Sequence, residues 1–234
     1  MKYKHLIQIN STNNYCKKNI EQLEDETIVY TTHQTHGRGR FDRVWVDLGA
    51  ENLYMTIVLK PSKMLLPVYS NLTQYTALQL AKTFEKYEIS PKIKWPNDIL
   101  INDKKISGIL AETIFQNNEL KGIIIGIGVN LNAKKEDFTQ INKPVTALNL
   151  ETNKKIDKKV FLQEFTQTFF KNYKTFLKKN FTHIKKDYEK YINFIGKEIT
   201  ITNLNETITG TAEKITDDGA LVINNRELFT GDIL

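Results

Sequence analysis

Five stretches of this chain, residues 27–31, 53–59, 99–101, 106–114 and 122–129, are apolar runs in which β-branched side chains are frequent, each bounded by Gly, Asn, Asp or Lys. Branching at Cβ stiffens χ1 and suits the pleated surface of a sheet, so these runs are predicted strands. A sixth, residues 3–9, alternates apolar and polar side chains and runs into Asn10-Ser-Thr-Asn13, residue types that cap helix starts. The period changes where Tyr69, Leu72, Ala77, Leu80, Ala81 and Phe84 recur at three- and four-residue steps, as do Phe161, Phe165, Phe169, Tyr173 and Phe176. Two amphipathic helices are predicted there, the aromatic stripe of the second belonging to the core. A short helix carrying Tyr188 and Ile192 follows, and near Gly196 the texture shifts to brief alternating strands separated by Asp217-Asp-Gly219 and Asn224-Asn225 turns. That appendix is barrel-like and close to the lower limit of about 40 residues for independent stability, so it is expected to pack on the larger part.

Composition narrows the class. The 234 residues hold no apolar stretch near the roughly 18–20 residues of a membrane span, and Met1 leads into Lys-Tyr-Lys-His instead of a signal segment. A single cysteine, Cys16, excludes an internal disulfide and a multi-cysteine metal site, and suits a reducing, cytoplasmic home. The net charge of +6 is spread along the chain as dispersed lysines, which reads as global composition more than as a nucleic-acid footprint.

Three segments carry chemistry. In Gln34-Thr-His-Gly-Arg-Gly-Arg-Phe-Asp-Arg-Val-Trp45, Arg38, Arg40 and Arg43 are interleaved with Gly37 and Gly39 between two strands. Glycine permits close approach and positive φ, while guanidinium offers planar donors to phosphate or carboxylate, so this is an anion-binding loop, with an RNA-binding Arg-Gly segment as its rival. In Lys94-Trp-Pro-Asn-Asp98, continuing through Asn102-Asp103 to Lys104 and Lys105, adjacent residues at the start of a strand face opposite sides. One lysine is therefore expected to point inward and the other to solvent, and an inward lysine beside an Arg loop is a point charge for a polyanionic transition state. In Gly126-Ile-Gly-Val-Asn-Leu-Asn132 a strand ends in Asn130 and Asn132 on one face, whose amides suit the edges of a base or ribose. His33 and His36 lack a third metal ligand nearby, His5 and His183 read as packing or surface residues, and Cys16 reads as a small buried apolar residue. No metal site is expected.

In this order and spacing the segments resemble the biotin protein ligase family over nearly the whole chain: Ser11-Thr12-Asn13, Gln34 followed by Gly37-Arg38-Gly39-Arg40 with Arg43 and Trp45, Lys94-Trp-Pro-Asn97-Asp98, Lys105 with Gly108 and Glu112, Gly128-Val-Asn130-Leu-Asn132, and a terminal barrel. Phe41-Asp42 departs from the family, where a Gly usually takes the second place, and His36 stands where a small residue is common. The resemblance implies an α+β fold: a mixed β-sheet with flanking helices in a catalytic domain at 1–195, plus a small C-terminal SH3-like β-barrel at 196–234. It implies ATP-dependent activation of biotin to biotinyl-5′-AMP, with magnesium on the phosphates, and transfer of biotin to a lysine of the biotin carboxyl carrier protein of acetyl-CoA carboxylase. By the same resemblance Ser11, Thr12, Asn13 and Gln34 surround the biotin ureido ring; Gly37, Arg38, Gly39 and Arg40 fold over the adenylate; Lys105, near Gly108, contacts the carboxylate and α-phosphate; and Arg43, Trp45, Asn97, Asn130 and Asn132 lie on the nucleotide side. Lys105 and Arg40 are the expected catalytic pair.

With Ser11 ten residues from the start, the chain is expected to be of the monofunctional class, with no nucleic-acid or membrane partner; pairing of two copies through an edge strand stays open. Three other readings stand beside the ligase: lipoate or octanoate transfer on a related fold, a basic nucleic-acid-binding module, and a silent binder that stores biotinyl-AMP.

Overall fold

The computed structural model describes residues 1–60, 66–203 and 206–234, in two compact units. The first comprises Met1–Leu66 and Asp103–Gln163. Its sheet holds β1 (Lys2–Ile9), β2 (Thr27–Gln34), β5 (Leu53–Leu59), β8 (Lys104–Gln116) and β9 (Glu119–Val129), in the spatial order β1-β2-β5-β9-β8. β1 runs parallel to β2 and the other neighbours are antiparallel, so the sheet is mixed. Between β2 and β5 the chain makes a small ribbon, β3 (Gly37–Arg38) with β4 (Val44–Trp45).

Every strand predicted in this unit forms. β5 is buried along its whole length, which is why its sequence is a continuous apolar run without alternation. β1 forms as expected and leads into α1, but it is an edge strand exposed over most of its residues, with Ile7 79% exposed, so its alternation marks no covered face. Helix α1 (Thr12–Lys18) starts at Ser11, whose hydroxyl accepts from Asn14 N, and Lys17 and Lys18 in its last turn offset the helix dipole. The helix packs on β2, β5 and β9 and places Cys16 in an apolar cluster with Ile20, Leu23, Val29, Val58, Ile114 and Ile124. Burial there pushes the Cys16 thiol up to about 12, so the residue is apolar packing, as the sequence indicated.

The second unit comprises Pro67–Asn102 and Glu164–Leu234. The helix predicted through Tyr69 is split, with α2 (Leu66–Tyr69) ending before α3 (Leu72–Phe84) begins after Asn71. A hairpin of β6 (Pro91–Lys94) and β7 (Asp98–Ile101) follows, its turn containing a cis Trp95–Pro96 peptide. Late in the first unit's second segment comes the short α4 (Leu148–Thr152), unanticipated by the periodicity, and after it α5 (Lys158–Glu189), most of which belongs to the second unit. α5 absorbs both helices predicted beyond residue 160 and breaks at Asn180, whose φ of 61° is outside the helical range; Ile192 lies past its end. Its aromatic stripe is core: Tyr75 stacks on Phe176 at 4.4 Å, meets Phe169 edge-on at 5.1 Å, and donates its hydroxyl to the Phe169 carbonyl.

The C-terminal strands β10 (Glu198–Thr202), β11 (Thr207–Ile215), β12 (Leu221–Ile223), β13 (Arg226–Leu228) and β14 (Asp232–Ile233) pair antiparallel in the order β13-β12-β11-β10-β14, the arrangement of a small SH3-like barrel. The predicted Asp217-Asp-Gly219 turn is what ties it down. Asn71 Nδ2 donates to Asp218 O (2.8 Å), while Gln74 Nε2 and the buried Trp95 Nε1 both donate to Gly219 O (2.7 and 3.3 Å). Gly219 has φ 84°, and a Cβ there would lie 2.4 Å from the Asn71 amide, so glycine is required twice over.

Asp187 sits between Lys190 Nζ (2.7 Å) and Lys82 Nζ (2.8 Å), and these charge-assisted bonds lower its pKa to about 2. A folded-state value below the unfolded one of about 3.9 contributes stability above pH 4 that is lost as pH falls through 2. Urea unfolding of Asp187→Asn is therefore expected to show a deficit against the unaltered chain at pH 7 that shrinks below pH 4 and closes near pH 2.

Candidate functional site

The sequence-predicted residues of the first unit converge on α1, the β3–β4 ribbon and the facing ends of β8 and β9. At the start of α1, Thr12 N donates to Gln34 Oε1 (2.8 Å) and the Thr12 hydroxyl approaches the same oxygen (3.1 Å). A backbone N–H can only donate, so Gln34 Oε1 faces Thr12 and its Nε2 is turned the other way, toward Gly37, where a Cβ would come within 3.1 Å of it. Gln34 Nε2 takes no acceptor among the described residues, which makes it a donor available to a ligand carbonyl. Beneath them Thr56, fully buried on β5, approaches Thr12 Oγ1 (2.8 Å) and Asn13 Oδ1 (2.7 Å). Asn13 Nδ2 in turn donates to Leu110 O (3.2 Å) and Glu112 Oε2 (2.8 Å), so the Asn13 amide is spent within the protein. A Cβ at Gly126 would lie 2.3 Å from Asn13 Oδ1, so β9 carries a glycine where the amide presses on the strand.

The arginine segment is built differently from its sequence expectation. Neither Gly37 nor Gly39 takes a positive φ. Gly37 is needed for close approach, since a Cβ would sit 2.3 Å from the Trp45 carbonyl oxygen across the ribbon. The left-handed residues are Phe41 (φ 54°) and Asp42 (φ 56°), the middle pair of a tight turn in which Arg43 N donates to Arg40 O (3.2 Å) and Gly39 N to Arg43 O (2.7 Å). Two positive φ values in succession are the geometry of a primed hairpin turn, strained for a bulky side chain by about 1–3 kcal/mol. The Phe41 ring recovers part of that through cation–π contacts, with the Arg40 guanidinium 4.8 Å and that of Arg43 5.9 Å from its centroid. Arg38, at the base of the ribbon, donates through Nη1 to Asn14 Oδ1 (3.0 Å) and to both oxygens of Glu112 (3.1 Å each).

Lys104 is exposed and Lys105 half-buried, the inward-outward division expected of adjacent strand residues. The Lys105 backbone is held by Pro144 O and Thr146 N (2.9 and 3.0 Å), and its ammonium lies 5.6 Å from the Trp45 ring. The indole itself rests on glycines: a Cβ at Gly128 would penetrate it at 2.3 Å, and one at Gly108 would lie 2.9 Å from it and 3.2 Å from Lys105 Nζ. Trp45 Nε1 is buried and has no hydrogen-bond partner among the described residues, an unusual state for a polar group in a folded chain.

Other predicted residues are engaged elsewhere. Asn130 Nδ2 donates to Thr146 O (3.0 Å), and Asn132 brackets Ile156, accepting from its N (2.9 Å) and donating to its O (2.9 Å) and to Glu51 O (3.2 Å). Asn97 belongs to the second unit, where it is buried and donates to Asp98 Oδ1 (3.0 Å). His33 is paired with Asp47 (3.1 Å), and among the described residues no group of three His, Cys, Asp or Glu could hold a metal ion. Burial raises the Asp47 pKa, but bonds from Gly49 N, Tyr54 OH, His33 and Gln34 N outweigh it and hold the carboxyl below the usual range.

Thr56, Asp47 and the buried Asn52 were missed by motif reading. Asn52 accepts from Leu131 N and Asn132 N (2.9 and 3.1 Å) and so fixes the end of β9. The only signal was a polar residue inside or beside an apolar run. Removing the hydroxyl in Thr56→Val leaves two buried groups without that partner, which costs about 1–3 kcal/mol; chemical denaturation is expected to show that loss with the helical signal intact.

Comparison with known proteins gives the family. Residues 6–130 match the model of the biotin/lipoate A/B protein ligase family and residues 194–227 that of the biotin protein ligase C terminal domain. A bifunctional ligase/repressor BirA of Bacillus spizizenii is 37% identical over 150 residues, 63% of this chain and 46% of that protein, so the chain spans about half the length of the first curated relatives it matches. A biotin–[acetyl-CoA-carboxylase] ligase of Paracoccus denitrificans is 32% identical over 70% of each chain. A structure of the biotin protein ligase from Aquifex aeolicus, in complex with biotin and ATP, superposes with a TM-score of 0.82 over 100% of this chain and 97% of that one at 27% identity. A match over 6–130, more than half of the chain, settles membership: it belongs to the biotin/lipoate A/B protein ligase family.

Proposed function

We propose that this chain is a biotin–[biotin carboxyl carrier protein] ligase. The observation that carries the reading is the pairing of an arginine ribbon with a half-buried lysine across Trp45, in a chain that aligns end to end with a biotin ligase structure holding biotin and ATP. In the first step a biotin carboxylate oxygen attacks the α-phosphorus of ATP and the bond to the β-phosphate oxygen breaks, giving biotinyl-5′-AMP and pyrophosphate. Both reactants are anions, so the step needs cations placed where charge accumulates. Lys105 and Arg40 supply them as the catalytic pair, and magnesium enters with the ATP phosphates as part of the substrate. In the second step the ε-amine of a carrier lysine attacks the acyl carbon, AMP leaves, and a proton is lost from the amine.

Ser11, Thr12, Asn13 and Gln34 form the ureido end of the biotin site, Asn13 by holding the start of α1 in place, because its amide is bonded to Leu110, Glu112 and Thr56. The ureido group has one carbonyl and two N–H groups, and the outward Nε2 of Gln34 is a donor for that carbonyl. Gly37, Arg38, Gly39 and Arg40 form the cover over the adenylate, with Gly108 under Lys105. Arg43, Trp45, Asn130 and Asn132 are assigned to the nucleotide side; for Asn130 and Asn132 the role runs through the backbone they hold in place, because their amides are bonded to Thr146, Ile156 and Glu51. Residues 1–195 then constitute the catalytic domain and 196–234 the SH3-like domain. The partner is the biotin carboxyl carrier protein of acetyl-CoA carboxylase, met in the cytoplasm; no helix among the described residues is long and apolar enough to cross a membrane. Pairing of two copies would use β1, the edge strand of the sheet.

The deciding experiment is biotin-dependent exchange of labelled pyrophosphate into ATP. Exchange that requires biotin, with none supported by lipoate or octanoate, is the expected result, and exchange with lipoate alone would reassign the substrate. Lys105→Ala is expected to slow exchange by about 10²–10³-fold, the cost of one preorganised cationic or oxyanion donor. Arg40→Ala is expected to release biotinyl-5′-AMP faster, measured as labelled adenylate escaping on gel filtration.

A further inference from the structure

Glu112 lies on β8 with its carboxylate only 20% exposed, and two groups from two other segments meet on it through three hydrogen bonds. Arg38 Nη1, from the base of the arginine ribbon, is 3.1 Å from each oxygen, and Asn13 Nδ2, from the first turn of α1, is 2.8 Å from Oε2. The same Arg38 nitrogen reaches Asn14 Oδ1 at 3.0 Å, so the guanidinium is bound on two sides, to α1 and to β8. Bonds with both partners charged are the strongest available to side chains. Drawing Arg38 away to a ligand would leave the Glu112 carboxylate with Asn13 as its one side-chain partner among the described residues.

We infer that Glu112 is a positioning residue: its charge fixes the base of the arginine ribbon through Arg38 and fixes the amide of Asn13, so that Arg40 and Arg43 swing from an anchored root. The three arginines thereby divide their work. Arg38 is the anchor; Arg40 and Arg43, on the turn with the left-handed Phe41 and Asp42, meet the anion. The anchoring is a statement about the protein alone, and only its consequence for the adenylate rests on the ligase reading. Glu112 reaches no reacting atom in this scheme, so its loss acts on how long and how often the ribbon is in place.

The test is limited trypsin digestion of the protein without biotin or ATP, following cleavage after Arg40 and Arg43 by mass spectrometry. Glu112→Gln keeps the shape and one acceptor but removes the charge. Cleavage is expected to rise about tenfold, the factor that a loss of 1.4 kcal/mol gives. Arg38→Gln is expected to do the same, and the double variant no more than either single one, because both remove one interaction. Melting temperatures report whether each variant is folded, and Arg38, the more exposed partner, supplies the variant that keeps the test alive if Glu112→Gln fails to fold. Equal cleavage in a folded variant and the unaltered chain, or strictly additive effects, overturns the anchor. In pyrophosphate exchange the same variants are expected to raise the biotin KM and adenylate leakage more than they lower kcat; a fall in kcat alone also overturns it. A chain that shows no exchange at all defeats the ligase reading and leaves the digestion result standing.

Discussion

A hydroxyl shut away from water must spend its hydrogen on the protein, and Thr56 spends its own on the start of α1. β5 is otherwise a run of buried apolar side chains, so a polar atom at its centre is tolerated only because Thr12 and Asn13 face it. That contact does two things at once. It sets the depth at which α1 enters the sheet, and it completes a chain of bonds from Gln34 through Thr12, Thr56 and Asn13 to Glu112 and Arg38. The Gln34 amide at one end and the arginine ribbon at the other are thus mounted on one rigid piece of strand. A network of this kind is costly when one member is missing, which is how it specifies a single arrangement.

The remaining geometry follows from two flat floors. Gly126 and Gly128 on β9 leave space that Asn13 and the Trp45 indole fill, and Gly108 on β8 leaves space for the Lys105 ammonium beside the same indole. Aromatic and cation therefore lie close together at a surface that backbone alone could not have shaped. On the other side of the ribbon the turn at Phe41 and Asp42 is strained, and the Phe41 ring gathers two guanidiniums that would otherwise repel one another in the absence of an anion. Strain of this kind persists only where the surrounding contacts hold it in place.

In the second unit the logic is carried by backbone carbonyls. Asn71, Gln74 and Trp95 each donate to the Asp218-Gly219 turn, so a loop of the C-terminal sheet is recognised by side chains much as a ligand would be. Trp95, singled out in the sequence for its place beside Pro96 and Asn97, is there a structural donor buried under the turn.

The strands of the sheet, the C-terminal strands from 198 to 228 and the aromatic core of α5 were legible in the sequence, because period and β-branching report on local burial directly. The residues proposed for the site also stood out there, as types at characteristic spacings. What the chain did not announce were contacts between residues far apart along it: Asn13 with Glu112, Arg38 with Glu112, Thr56 with Thr12, Trp45 with Gly108 and Gly128. β1 shows the limit from the other direction, since an alternating pattern fixes which residues share a face but not whether anything covers that face. Asn130 and Asn132 show it again: an amide at a strand end reads equally as a ligand contact or a backbone staple, and only the neighbouring segments at Thr146 and Ile156 turned both into staples. The sequence by itself determined which elements form and which chemical groups are present, because propensity and periodicity are properties of neighbours in the chain. Tertiary structure alone decided which of those groups are spent on holding the fold and which are left to meet a ligand, because a hydrogen bond goes to whichever partner packing brings within 3 Å.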